Sequence, residues 1–227
     1  MKIVLTNDDG FDAPGLDALL AAVKTHTDTM ILAPETAQSG VGHQVTTHAP
    51  LTVRRRAKNR FSVGGTPADC VRLALKSFAP DADWVIAGIN PGANLGSDIY
   101  QSGTVAAARE AAILGCRALA ISQYIAKDSL VDWEATGFFA SQMIEMLLNR
   151  KLPTGSYWNV NLPHPLKRHD DITHRFCDPD TNPHKYSYER EGDGYMYRGT
   201  IHERPRDPGL DVAVCFGGEV SISRLAL

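Results

Sequence analysis

Four cysteines in 227 residues, Cys70, Cys116, Cys177 and Cys215, are too few and too scattered for a disulfide framework. No C-x-x-C pair and no Cys/His spacing of the zinc type occurs, so buried or idle free thiols are expected. Long apolar runs are missing as well. Residues 1–6 pass straight into polar Asn7-Asp8-Asp9-Gly10, which leaves no stretch suited to a signal peptide or a spanning helix, and a soluble cytoplasmic protein is expected. Charge of neither sign dominates. With 23 Lys+Arg against 26 Asp+Glu the net charge is −3, too small to gather nucleic acid or an anionic membrane, so the expected partner is a small molecule. Gly40-Val41-Gly42 lacks the third glycine of a dinucleotide fingerprint, and neither a P-loop lysine pattern nor an H-E-x-x-H occurs.

What is present is an alternation of short branched apolar runs with helical patterns, the mark of a mostly parallel sheet covered by helices on both faces. Residues 2–5, 29–33, 84–87 and 118–121 read as strands. Leu16, Leu19, Leu20 and Val23 recur at helical spacing. Thr66-Pro67-Ala68-Asp69 reads as a helix start, with a capping hydroxyl, a proline where its missing N–H costs nothing, and an early carboxylate. Residues 105–114 and 133–148 are further helices. Residues 45–53 and 60–63 look extended, as in a hairpin, and residues 158–162 read as a strand. One domain spanning 1–227 is expected: a core to 150, an irregular excursion over 151–210 suited to an oligomer contact, and a closing β-hairpin over 211–225 built around Gly217-Gly218.

The chemistry collects at strand ends. Asp8 and Asp9 stand where the first strand gives way to its loop, and open α/β sheets bind ligands outside the carboxyl ends of their strands. Adjacent ionised carboxylates repel, so either one takes up a proton or a cation lies beside them; oxygen ligands select a hard ion such as Mg²⁺ or Mn²⁺. The competing reading is that one Asp caps the following helix and the other is solvated. Ser39, after the second strand, and Asn90, after the strand at 84–87, open on the same sheet edge and could converge on that ion; taken singly, each is an ordinary turn former. Ser102-Gly103-Thr104 opens a helix whose free N–H groups favour a phosphate, with Asn94 near enough in sequence to add its amide, although simple capping by Ser102 explains the same residues. His164, His169 and His174 fit no helix face and read as solvated loop residues, with a second metal or substrate contact as the minority alternative. Arg54-Arg55-Arg56 with Lys58 reads as a solvated turn.

Five ordered segments resemble the SurE, or survival protein E, family of 5′-nucleotidases: residues 6–10 with Ala13-Pro14-Gly15; Ala33-Pro34 with Gln38-Ser39-Gly40; Gly65 to Val71; Gly88-Ile89-Asn90 with residues 92–96; and Ser102 to Val105. The resemblance is dense to about residue 122, faint between 151 and 210, and resumes over 211–225. It implies a Rossmann-like three-layer α/β/α fold, one divalent ion per subunit, and hydrolysis of nucleoside 5′-monophosphates to nucleoside and phosphate, with 3′-nucleotides or polyphosphate as further substrates. It places metal ligands on Asp8, Asp9, Ser39 and Asn90, and phosphate contacts on Asn94, Ser102 and Thr104. It also implies a cytoplasmic homodimer or homotetramer. Many members continue past the hairpin into an exchanged arm, whereas this sequence stops at Leu227, so subunit contacts are expected from 163–206 or another surface.

The expected chemistry is attack of water on phosphorus opposite the leaving 5′-oxygen, with a cation polarising the phosphoryl group and Asp8 or Asp9 assisting proton transfer. Two alternatives stand beside it. A phosphatase with an aspartate nucleophile of the haloacid-dehalogenase kind needs its two aspartates one residue apart, and here they are adjacent; a nucleotide-binding sensor would use the same loops without turnover.

Overall fold

The computed structural model describes residues 1–23, 28–168, 170–199 and 201–227. In chain order, the first half runs β1 (Lys2–Thr6), α1 (Pro14–Ala22), β2 (Asp28–Pro34), β3 (Val53–Ala57), β4 (Arg60–Val63), α2 (Pro67–Leu73), β5 (Trp84–Pro91) and α3 (Gly103–Ile113). The second half continues β6 (Arg117–Gln123), α4 (Trp133–Leu148), β7 (Ser156–Leu162), β8 (His174–Phe176), β9 (Tyr188–Glu191), β10 (Gly194–Tyr197), α5 (Asp211–Phe216) and β11 (Val220–Ala226). Nine strands form one sheet in the order β3-β4-β2-β1-β5-β6-β7-β11-β8. From β4 through β7 every neighbouring pair is parallel; β3 runs antiparallel to β4 and β11 antiparallel to β7, while β8 pairs parallel with β11. This is the mostly parallel, helix-covered sheet that the alternating pattern called for.

Strand side chains point alternately to the two faces, and that period builds two cores. On one face Ile3 and Leu5 pack with Leu16 and Leu19 of α1 and with Phe139, Met143 and Ile144 of α4. On the other, Val4 and Val85 meet Val71 of α2 and Ala107, Ala108 and Ala111 of α3. Alanine is a strong helix former with little bulk, so α3 both forms readily and lies close to the sheet. At α2 the expected start is a full capping box: the Thr66 hydroxyl accepts from the Asp69 N–H at 3.2 Å, and the Asp69 carboxylate accepts from the Thr66 N–H at 3.0 Å.

The chain order reverses between β1 and β5, because β2 lies on one side of β1 and β5 on the other. At such a switch point the loops leaving the two strands diverge and open a crevice. Gly15 lets α1 close over one wall of it: a Cβ there would stand 2.0 Å from the Ile89 carbonyl oxygen. Gly88, at φ +141°, lets β5 pass the Ile121 carbonyl, which a Cβ would meet at 2.3 Å.

Several expectations are corrected. Residues 211–216 are not the first arm of a hairpin but helix α5, and β11 pairs instead with β7 and β8. Val212 and Cys215, three apart, bury one face against Ala93 and Leu95, which is helical spacing; over six residues that pattern reads equally well as a strand. Residues 45–52 form no strand, and the hairpin is confined to β3 and β4. Arg54, Arg55 and Arg56 lie on edge strand β3 and not in a turn; Arg54 pairs with Glu35 and Arg56 with Asp12. Positive side chains on an exposed edge discourage pairing with another sheet. The stretch 163–206 is not devoid of elements either, since it carries β8 and the separate β9–β10 hairpin.

Candidate metal and phosphate site

Asp8 and Asp9 leave the carboxyl end of β1 into the switch-point crevice. Asp8 is only 4 % exposed, and its Oδ1 accepts a short hydrogen bond from the Thr104 hydroxyl. Gly103 makes that approach feasible, because a Cβ there would stand 2.9 Å from Cβ of Asp8. The first turn of α3 is therefore seated against Asp8. The loop after β2 is fixed to the same residue, with the Gln38 N–H donating to the Asp8 carbonyl at 2.6 Å, and this brings Ser39 to the crevice. From β5, Asn90 donates its side-chain N–H to the Gly92 carbonyl at 2.6 Å, which leaves its Oδ1 as the group free to bind a cation.

Asp8, Asp9, Ser39, Asn90, Asn94 and Ser102 line one cavity of 250 Å³. Ser102 caps α3, accepting from the Val105 N–H at 3.0 Å, so its own O–H proton remains available to an anion. Asn94 gives one side-chain N–H to Ser122 at 2.7 Å and retains another. Gly103 and Thr104 do not line the cavity; the Thr104 hydroxyl is fully buried and held by Asp8. Size does not select this site, for a larger cavity of 630 Å³ lies at the far edge of the sheet beside Trp158 and Phe176. The oxygen-rich lining does.

The electrostatics are those of a site wanting positive charge. Burial, and then the charge of Asp8, push the Asp9 carboxyl up to about 7. Burial also raises Asp8, against the lowering effect of the Thr104 hydrogen bond. Asp9 Oδ2 is buried with no hydrogen-bond partner among the described residues, which is costly unless a proton or a cation meets it. No group of three or more His, Cys, Asp or Glu among the described residues could hold a metal, so any ion here depends on the neutral oxygens of Ser39 and Asn90 beside the two carboxylates.

Sequence reasoning missed part of the frame. Asp98 and Gln101 also line the cavity, and Asp98 is paired with His184 at 2.5 Å and with Arg204 at 2.6 Å. The loop carrying Ser39 is braced further on by His43, whose Nε2 lies 2.7 Å from Glu110 Oε2. Burial alone would raise Glu110, but hydrogen bonds from His43 and Arg72 outweigh it and hold the carboxyl below its ordinary range. No local signal marks these partners, which are tens of residues apart in the chain. Of the three histidines weighed earlier, His164 and His174 do not line the cavity, and His169 lies outside the described residues.

Comparison with other proteins gives one answer. The family model for survival protein SurE matches residues 3–184. A protein of Synechocystis sp. is 46 % identical over 225 residues, covering 99 % of both chains. The 5′-nucleotidase SurE of Geotalea daltonii is 38 % identical over 241 residues, covering 100 % of this chain and 93 % of that protein. The crystal structure of SurE protein from Aquifex aeolicus superimposes with a TM-score of 0.89 at 31 % identity, covering 100 % of this chain and 93 % of that one.

Proposed function

The chain belongs to the survival protein SurE family, and on that premise we propose that it is a 5′-nucleotidase whose divalent cation, Mg²⁺ or Mn²⁺, is held by Asp8, Asp9, Ser39 and Asn90. The observation that carries the reading is the orphaned Asp9 Oδ2 in a cavity that also collects Asp8, Ser39, Asn90 and Ser102, the cap of α3. The residues fit a hard ion: every side-chain donor is an oxygen, and two carboxylates balance a divalent charge. When bound, such an ion supplies Lewis-acid polarisation of a phosphoryl oxygen and a lowered pKa for a bound water.

The chain's own groups do the rest. The Ser102 hydroxyl, at the positive N-terminal end of the α3 dipole, and the remaining Asn94 N–H receive the phosphate. Thr104 positions Asp8 from behind. Asp8 or Asp9, both of which line the cleft, would assist transfer of the attacking water's proton towards the 5′-oxygen as the P–O bond breaks. Among the described residues no helix is long and apolar enough to cross a membrane, and we read the enzyme as cytoplasmic and as a homodimer or homotetramer. Hydrolysis of 3′-nucleotides and polyphosphate belongs to the same reading.

A phosphate-release screen across nucleotides, sugar phosphates and polyphosphate, with and without each divalent ion, tests it. AMP or GMP turnover that is abolished by chelation and restored by Mn²⁺ or Mg²⁺ is expected. Tight nucleotide binding without release would make the protein a sensor and overturn the reading.

Two further results are expected here. Thr104→Val keeps the shape of a fully buried side chain but removes the hydrogen bond that orients Asp8. Partners that orient a metal ligand cost roughly 10–100-fold in affinity or activity when lost, so Mn²⁺ binding by titration calorimetry should weaken by about that factor. The second concerns pH. Asp9 in the folded, metal-free protein titrates at about 7 against an ordinary 3.8, so its contribution to stability is present at low pH and is lost as pH rises through about 7. A cation must displace that proton. Mn²⁺ affinity should therefore rise roughly tenfold per pH unit up to about 7 and then flatten, for one proton released. A pH-independent affinity between 5 and 7 would contradict it.

A further inference from the structure

Beside the metal cleft, and sharing Asp98 and Gln101 with it, lies a second cavity of 430 Å³. Its outer wall is aromatic: Tyr186, Tyr188 and Tyr197, with His184 at the base. The rings pack edge to face or tilted, with centroids 5.5 Å apart for Tyr188 and Tyr197 and 6.3 Å apart for Tyr186 and Tyr197. All three tyrosines remain about half exposed, at 55, 61 and 46 %, so their ring surface is not used up by the fold. We propose that this aromatic cavity holds the nucleobase of a nucleotide whose phosphate lies in the adjoining cleft. The inference rests on the nucleotidase reading above.

Position argues for it. Gln101 immediately precedes Ser102, the cap of the helix whose N-terminus receives phosphate, so the aromatic cavity opens on the phosphate-binding side of the cleft. The opposite neighbour, a cavity of 410 Å³ reached past Asp9 and Pro91, is the rival and is less suited. Its Phe11 ring is covered by the Arg56 guanidinium at 4.7 Å, and although Trp133 also lines it, it carries the carboxylates Asp9, Asp12 and Glu35, which repel an incoming nucleotide's phosphate. Tyrosine faces, by contrast, stack on any base.

The wall is held in place from the core. His184 and Arg204 occupy the two carboxylate oxygens of Asp98, and Arg204, which is buried, also donates to the Leu95 carbonyl at 3.2 Å. The polypeptide bearing the tyrosines is thereby fixed to the loop that borders the metal cleft. Each Asp98 oxygen already accepts from one of these two partners. Stacking on the three rings is tolerant of base identity, so kcat/KM for AMP, GMP and the pyrimidine monophosphates should agree within about tenfold.

The test has two arms. In the first, the ratio of kcat/KM for AMP to that for ribose 5-phosphate, which has no base, is compared in the wild type, Tyr188→Ala and Tyr188→Phe. Loss of one stacking ring should lower the ratio by roughly tenfold to a hundredfold in the alanine variant and leave it near wild type in the phenylalanine variant. In the second arm, adenosine binding is measured by calorimetry in the presence of a chelator. Binding by the wild type, weakened in Tyr188→Ala, is expected, and this arm holds even if no phosphate is ever released, so failure of the hydrolase reading and failure of the subsite are told apart. An unchanged ratio and unchanged adenosine binding would overturn the subsite. So would absence of adenosine binding at millimolar concentration, loss of binding on Phe11→Ala in place of Tyr188→Ala, or a change confined to subunit association.

Discussion

Asp8→Asn is expected to lower kcat/KM for AMP by at least about a hundredfold while leaving the protein folded. Replacing residues that merely orient a metal ligand already costs roughly 10–100-fold, and Asp8 is proposed as a ligand itself. The fold does not suffer, for a reason visible in the site. Asp8 is 4 % exposed, and burial raises its carboxyl, which means that the ionised form is disfavoured there without a cation. Asparagine keeps an oxygen for the Thr104 hydroxyl and removes the charge that pushes Asp9 upward. The metal-free variant should thus melt no lower than the metal-free wild type, and the stabilisation that Mn²⁺ gives the wild type should vanish. Thermal melts with and without Mn²⁺, beside a phosphate-release assay, check both halves. A variant that melts early would point to a structural aspartate, and one that retains turnover would remove Asp8 from the site.

Gly15→Ala is the second change with a large expected effect, and here two terms oppose each other. Glycine to alanine in a helix normally gains about 0.5–1 kcal/mol through backbone entropy. At Gly15 the added methyl would stand 2.0 Å from the Ile89 carbonyl oxygen and 3.1 Å from the Trp133 ring, and neither a buried strand backbone nor a packed indole can yield cheaply. Forced overpacking costs about 1–3 kcal/mol, so the net effect is a loss, worth roughly 2–4 °C in Tm per kcal/mol for a chain of this size. The displaced backbone is that of Ile89, next to Asn90, so Mn²⁺ should stabilise the variant less than it does the wild type. Gly137→Ala, a helical glycine whose Cβ would meet nothing closer than 3.4 Å, is the control that should lack both effects.

The parts of the site that could be read from the sequence are those governed by chain direction. Asp8 and Ser39 follow strands and Asn90 lies in the last residues of β5, parallel strands end on one edge, and the cavity collects them with Asp9, Asn94 and Ser102. The α2 capping box was legible because its partners are three residues apart. What stayed hidden depends on contacts across the chain. That Thr104 turns inward onto Asp8 follows from how α3 sits on the sheet, and Gly103 is silent until its Cβ is built against Asp8. Asp98 gains its partners from His184 and Arg204, 86 and 106 residues away, beyond the reach of any local pattern. Residues 211–216 misled for the opposite reason: six residues, of which Asp211, Val212, Val214 and Cys215 are buried, carry too short a record to separate the periods of helix and strand.

The most direct measurement is anomalous diffraction from crystals of the protein soaked in Mn²⁺. One peak per chain is expected, within direct coordination of Asp8, Asp9, the Ser39 hydroxyl and the Asn90 Oδ1, and absent from Asp8→Asn crystals treated alike. A peak elsewhere, or an ion touching the aspartates with Ser39 and Asn90 turned away, would contradict the account.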